Sequence, residues 1–350
     1  MTGAAMHIEA FQEQLIQGHA GSRVRSAEYA SRFGRWDTLA SVRRRPRRDF
    51  AGGEGGEGGL YFPPELYPVV LHPLVTARGA DVVEGLLLRR LYDYLHFTTE
   101  LENLAVIPVA VKISQGRSGL VLPEPMRADA YKIVTDEAWH AQFSYDFACQ
   151  ISAETGVAGP HSAQAAPPAF LARLDELRER LPHEIRGVES LLFAVVSETL
   201  ISSILSDIPR DERLYRPVRE VVRDHAEDEG RHHVYFRSVL RHLWPALTPR
   251  ERRAVGPLVP VAIHAFLEPD YLRTAHHLRG AGLSTDEIGQ VVAESWPPQS
   301  VRQSIARAAA QLTHYLTEAG ALEDARTLAS FEESGLLLTE RRSTTGAAGS

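Results

Sequence analysis

Asp224-His-Ala-Glu-Asp-Glu-Gly-Arg-His-His233 is the stretch from which the rest of the chain can be read. His225, Glu229 and His232 fall at i, i+4 and i+7, so on an α-helix their side chains stack along one stripe. His233 points off that stripe. Two imidazoles and a carboxylate on one stripe make half a site for a borderline divalent metal, which takes mixed nitrogen and oxygen ligands. A second half lies upstream in Glu137-Ala-Trp-His140, a Glu-x-x-His pair at i, i+3. Two such pairs, with a lone glutamate from each of two further helices, are how four-helix bundles hold two metal ions. The expected fold is all-α, a ferritin-like helical bundle with extra helices.

Outward from that stretch the apolar spacing stays helical from Asp81 onward. It predicts helices near 80–107, 125–155, 184–207, 212–243, 249–267 and 298–318. Breaks are expected at 114–119, at 156–168 and at Ile208-Pro-Arg-Asp211. No segment alternates like an amphipathic strand, and no repeat of fixed period is present. Residues 60–320 read as the metal-binding bundle, and 321–350 as an extension whose tail from Arg341 is disordered. Residues 1–59 read as a flexible appendage. In it the run Arg43-Arg-Arg-Pro-Arg-Arg48 reads as solvated, and the stretch from Ala51 to Gly59 is a Gly/Glu linker with nothing to bury. Pro63, Pro64, Pro68 and Pro73 keep the next segment from being helical throughout.

Composition narrows the function classes. Of the 350 residues, 44% are hydrophobic and 24% charged, enough for a large core in a globular protein. A net charge of −7 argues against nucleic acid as a partner. Cys149 is the single cysteine, so neither a disulfide framework nor a multi-cysteine zinc or iron–sulfur site can form. The N-terminus lacks the pattern of a secretory signal, and a cytoplasmic protein is expected. Leu191 to Leu205 is long and apolar, but Glu198 and several hydroxyls interrupt it. It reads as a core helix and not a membrane span.

An ionised carboxylate at Glu198, inside such a helix, must be paired or bound to metal. Together with the two histidine-bearing halves, metal ligation is the better reading. The fourth helix should add one more carboxylate, from Glu84, Glu100 or Glu102. Glu84 sits near the helix start, where an acid suits the dipole. Glu100 and Glu102 point to roughly opposite sides at 100° per residue, and spacing leaves the choice open. His225 would be a seventh ligand beyond the usual six. Asp136 and Asp228, each just before a ligand glutamate, are placed to orient the histidines from behind. His72, His96, His183 and His264 have no partner at metal spacing. No nucleotide-binding glycine motif follows a predicted strand.

These residues resemble the p-aminobenzoate N-oxygenases and related arylamine oxygenases, the AurF-like di-iron proteins. The resemblance spans roughly residues 60–320. It rests on Tyr92-Asp-Tyr-Leu-His-Phe-Thr-Thr-Glu100, Asp136-Glu-Ala-Trp-His140, Ser197-Glu-Thr199, His225 to His232, and Ala262-Ile-His-Ala-Phe-Leu-Glu-Pro-Asp270. It implies a di-iron centre held by Glu100, Glu137, His140, Glu198, His225, Glu229 and His232, with Glu100 chosen by a Tyr-x7-Glu interval starting at Tyr92. It further implies a homodimer of secondary metabolism that uses dioxygen to oxidise an amine nitrogen toward hydroxylamine and nitro; with no nucleotide-binding motif in the chain, electrons are expected from an external reductase or ferredoxin. Family members place an arginine three residues after the tyrosine and an asparagine four after the third glutamate, to hold the substrate carboxylate. Here Leu95 and Ser202 occupy those positions. With Tyr92 they would line the substrate site, and a benzoate would lose its partner there. The expected substrate is therefore a free or carrier-bound amine other than p-aminobenzoate. Hydroxylation of a carbon centre and ferritin-like iron binding are the alternatives.

Overall fold

The computed structural model describes residues 29–45, 47–50, 59–159, 167–205 and 207–337, without the side chains of 202–204. Among these residues the chain is all-α, with no strand and one isolated bridge pairing Leu60 with Leu214. In chain order the helices are α1 (Trp36–Leu39), α2 (Ser41–Arg44), α3 (Pro73–Thr76), α4 (Ala80–Leu101), α5 (Ile107–Ser114), α6 (Glu124–Thr155), α7 (Ala169–Arg180) and α8 (Val188–Leu205). They continue as α9 (Arg216–Ala246), α10 (Pro249–Val255), α11 (Val259–Leu267), α12 (Tyr271–Gly280), α13 (Thr285–Ser295), α14 (Pro298–Glu318) and α15 (Ala325–Glu333).

Four of these build the centre of the molecule. The long helices α6 and α9, 32 and 31 residues, pack against each other. Helix α4 lies on α6, and α8 lies on α9. α8 is buried around its whole circumference because almost every residue from Val188 to Ile201 is apolar or small, and α11 and α14 close its outer sides. No helix among the described residues is long and apolar enough to cross a membrane. Gly156, at φ +69°, ends α6 in the left-handed region where a side chain would be strained.

Between α4 and α5 the backbone widens into one π-helical turn, Glu102–Val106. It lies directly before Pro108, which has no N–H to continue the i−4 ladder and whose ring crowds the preceding turn. The predicted helix 80–107 therefore runs on, through this turn, to Ser114. The predicted helix 249–267 is two helices, because Gly256-Pro257 breaks the ladder into a short 3₁₀ turn. Helices α7, α12, α13 and α15 were not expected from the spacing.

Two boundaries differ from the sequence reading. The appendage expected over 1–59 is, where described, a packed strap. Phe33, Trp36 and Ala40 are buried, Arg45 and Arg48 pair with Asp224, and Arg47 pairs with Asp146. Arg45 and Arg48 are half-buried against carboxylates of α9, while Arg43, Arg44 and Arg47 stay exposed, so only part of the run is solvated as expected. The glycine-rich linker and residues 1–28 lie outside the described residues. At the other end Ala321, Phe331 and Leu336 join the same contiguous core as Phe33, so the extension packs through residue 337. The expected tail from Arg341 also lies outside the described residues.

Candidate metal centre

Seven ionisable side chains from four elements converge at the middle of the bundle. Glu102 comes from the π turn, Glu137 and His140 from α6, Glu198 from α8, and His225, Glu229 and His232 from α9. All seven are fully buried. Their oxygen and nitrogen atoms gather in three overlapping groups, each within 4.8 Å: Glu137, His140, Glu229 and His232; Glu102, His140 and His225; Glu102, Glu137 and Glu198. The shared members Glu102, Glu137 and His140 join these groups into one centre.

Glu100, the glutamate implied by the resemblance, is not in it. That residue is half-buried on the other side of α4, and Glu102 takes the place. The physical reason is the helix register: Leu91, Leu95, Thr98 and Leu101 form the buried stripe, and Glu102 continues it. Leu104, on the Glu100 side, is 52% exposed. The seven-residue interval holds with both ends moved by two, from Tyr94 to Glu102. Tyr94 was missed in the sequence, although its place one interval before Glu102 was a usable signal.

Four carboxylates buried side by side demand positive charge. Both oxygens of Glu102, Glu198 and Glu229, together with Glu137 Oε1, His225 Nε2 and His232 Nδ1, make no hydrogen bond. His232 Nδ1 lies 2.8 Å from Glu137 Oε1 and 3.3 Å from Glu229 Oε1, so the donor atoms aim at common points rather than at each other. Burial, with repulsion from Glu137, Glu198 and Glu229, pushes the Glu102 carboxyl well above its ordinary range. Burial and the same kind of repulsion from Glu229 and Glu137 raise Glu198. Burial opposes charge on the two histidines of α6 and α9, yet Asp228 and Glu137 lift His140 to about 10, and Glu137 and Glu229 raise His232. The centre pulls positive charge into itself, and divalent ions satisfy it better than protons. The donor set, carboxylate oxygen with imidazole nitrogen, fits such ions.

Each of the three histidines turns one ring nitrogen into the cluster and has the other one held from outside. His140 Nε2 lies 3.1 Å from Asp228, His232 Nε2 3.2 Å from Asp136, and His225 Nδ1 3.3 Å from the Tyr94 hydroxyl. Such partners fix the ring orientation and the tautomer of a metal-binding histidine. His233 instead bonds the Tyr315 hydroxyl, and His72 bonds Glu294.

The residues expected to line a substrate site are placed as follows. The Tyr92 hydroxyl donates to the Val157 carbonyl past the end of α6. Leu95 is fully buried two turns before Glu102. The Ser202 side chain lies outside the described residues. With the interval starting at Tyr94, the third residue after the tyrosine is Phe97, packed on Phe170 and Phe266 at 5.2 and 5.7 Å. In either register the position is apolar. Beside the centre a cavity of about 340 Å³ is lined by Arg47, Arg48, Trp139, Phe143, Asp146 and neighbours. The Phe143 ring separates it from the centre, lying 5.5 Å from the His140 ring and 6.0 Å from that of His225.

With this geometry in view, the comparisons with known proteins become specific. Residues 54–320 match the family described as P-aminobenzoate N-oxygenase AurF. The chain belongs to this family. The match contains all seven clustered residues and leaves the strap of residues 29–50 ahead of it. A relative, the 4-aminobenzoate N-oxygenase of Streptomyces thioluteus, is 24% identical over 228 residues, covering 63% of this chain. The aligned part spans 66% of that relative, just under two thirds of its length.

Proposed function

We propose that this chain is a di-iron oxygenase that uses dioxygen to oxidise an amine nitrogen of a substrate other than p-aminobenzoate. The observation that carries the reading is the buried centre of four carboxylates and three imidazoles, with so many of its donor atoms unpartnered. Glu102, Glu137, His140, Glu198, His225, Glu229 and His232 would hold the two irons, and four carboxylate charges match those of two divalent ions. Irons bound there supply the reduction of dioxygen. Electrons come from an external reductase or ferredoxin, and the enzyme works as a homodimer.

The protein's own part is to hold and to shield. Asp136, Asp228 and Tyr94 orient the three imidazoles. The apolar wall of α8 keeps bulk water from Glu198. The cavity behind Phe143 is the approach for substrate. Its two arginines are already matched, Arg47 with Asp146 and Asp49, and Arg48 with Asp224 and Glu220. The position that would carry a cationic anchor, Leu95 or Phe97, is apolar and does not line this cavity. A benzoate entering this cavity would shed water from its carboxylate and gain no partner. An aromatic amine that is neutral, or tethered to a carrier, meets no such penalty.

Incubation of the reduced, iron-loaded enzyme with oxygen and a panel of aryl and alkyl amines, read by mass, tests this. Addition of oxygen atoms at nitrogen of a non-anionic amine is expected, with p-aminobenzoate turned over poorly. Oxidation only at carbon would replace the reading with a hydroxylase, and iron uptake far beyond two per chain with a storage protein.

A further inference from the structure

The strap of residues 33–45 does more than cover the bundle. Trp36 Nε1 donates to Asp136 Oδ1 at 2.8 Å, while Asp136 Oδ2 holds His232 Nε2. Five residues later the backbone N–H of Ser41 is shared between the two oxygens of Asp228 at 3.2 Å, and Asp228 Oδ2 holds His140 Nε2. Two successive turns of the strap thus reach two different histidines, each through one buried aspartate. Both aspartates are fully buried, so water cannot replace a lost donor at little cost. Phe33 adds a ring stacked on His232 at 15° and 6.2 Å between centroids. Polar clamps hold the strap at this height: Lys132 Nζ donates to the Phe33 carbonyl, and Arg45 and Arg48 both pair with Asp224.

We propose that Trp36 and the Ser41 backbone N–H are positioning groups that set metal affinity through His232 and His140 respectively. This rests on the two-metal reading above. An aspartate that loses its outer donor can rotate, and the imidazole it holds then loses its fixed direction. Because α1 and α2 serve different histidines, the strap reaches the centre at two separate points, although the two imidazoles meet in one group with Glu137 and Glu229. Asp228 is also gripped by Arg231, whereas Trp36 is the partner that fixes Asp136 beside His232, so the Trp36 link has the larger effect.

Two substitutions separate the links. Trp36→Phe keeps an aromatic ring in place and removes the indole N–H, together with part of the ring volume. Ser41→Pro removes the backbone N–H at the first position of α2, where proline is well tolerated and the preceding Ala40 is already extended, at φ −61° and ψ 139°. Full-length protein is titrated with Co(II) against a competing chelator. The exchangeable ring N–H protons of the Co(II)-bound histidines are followed by paramagnetic NMR. Wild type is expected to bind two Co(II). Trp36→Phe should weaken one of them by about tenfold, at the low end for loss of an outer partner, and shift the N–H signal of His232 but not that of His140. Ser41→Pro should give a smaller loss of affinity and move the His140 signal but not that of His232. Two Co(II) bound by both variants with wild-type affinity would overturn the proposal. Movement of both histidine signals in each variant would overturn it too, since that is what general loosening of the fold produces. Wild type binding fewer than two Co(II) would instead defeat the two-metal reading, and the strap's role with it.

Discussion

The Tyr94 hydroxyl and Nδ1 of His225 lie 3.3 Å apart, 131 residues distant in sequence, and through this contact α4 orients a histidine of α9. Both side chains are buried. Burial, with the neighbouring His140, keeps His225 below its ordinary pKa, so it faces the centre as a neutral imidazole able to bind metal. Tyr94→Phe leaves that ring without its outer partner. Iron affinity is expected to fall by about 10- to 100-fold, and an unfolding titration to show a loss of about 1–3 kcal/mol. Wild-type iron affinity in this variant would show that the contact does not orient the histidine.

The two candidate glutamates, Glu100 at the end of α4 and Glu102 in the π turn, should separate cleanly. Glu102→Gln should cost the protein at least one tightly bound iron, read by metal analysis after desalting. In the metal-free protein the same change removes a carboxylate packed against Glu137, Glu198 and Glu229, so it should raise resistance to urea. Glu100→Ala should retain both irons and change stability by no more than about 0.5 kcal/mol. An iron loss in Glu100→Ala alone would reverse the assignment.

Phe143 stands between the cavity and the rings of His140 and His225. Phe143→Ala should open the cavity onto the centre and increase turnover of bulky amines relative to small ones. Because the residue is only half-buried, the stability loss should lie near 2 kcal/mol, below the about 3–5 kcal/mol of a fully buried phenylalanine. Unchanged selectivity between large and small amines would move the approach route elsewhere.

His277 supplies a pH dependence away from the centre. Burial, then Arg89, Arg273, His276 and Arg90, lower its pKa from 6.5 to about 3, against the pull of Asp93 at 3.5 Å. The folded pKa is depressed, so the unfolded chain takes up this proton first. The stability is present above pH 6.5 and is lost as the pH falls from there toward about 3. Urea unfolding at a series of pH values should show this acid limb, and His277→Gln should flatten it. An identical limb in the variant would assign the loss to other groups.

Much of the site was legible because helical spacing is a local property. Glu137 and His140 are one turn apart, and so are Glu229 and His232, so each pair shares a face wherever its helix lies. The buried carboxylate at Glu198 announced itself by interrupting an apolar run. The choice between Glu100 and Glu102 was not announced in this way, because either could face inward until the stripe of Leu91, Leu95, Thr98 and Leu101 was known to be the buried one. The pairing of Arg45, Arg47 and Arg48 was not legible for a related reason: the partners Asp146, Glu220 and Asp224 lie about a hundred residues or more away, and charge pairing at that range leaves no periodic trace.

By itself, then, the sequence determined an all-α chain with metal-binding pairs on two helices, because the 3.6-residue repeat puts those side chains on shared faces whatever surrounds them. Only the tertiary structure decided that Glu102 and not Glu100 joins them, that Tyr94 holds His225, and that the first described residues are a strap reaching Asp136 and Asp228. Those relationships depend on which surfaces of distant helices meet, and that is settled by packing one common core.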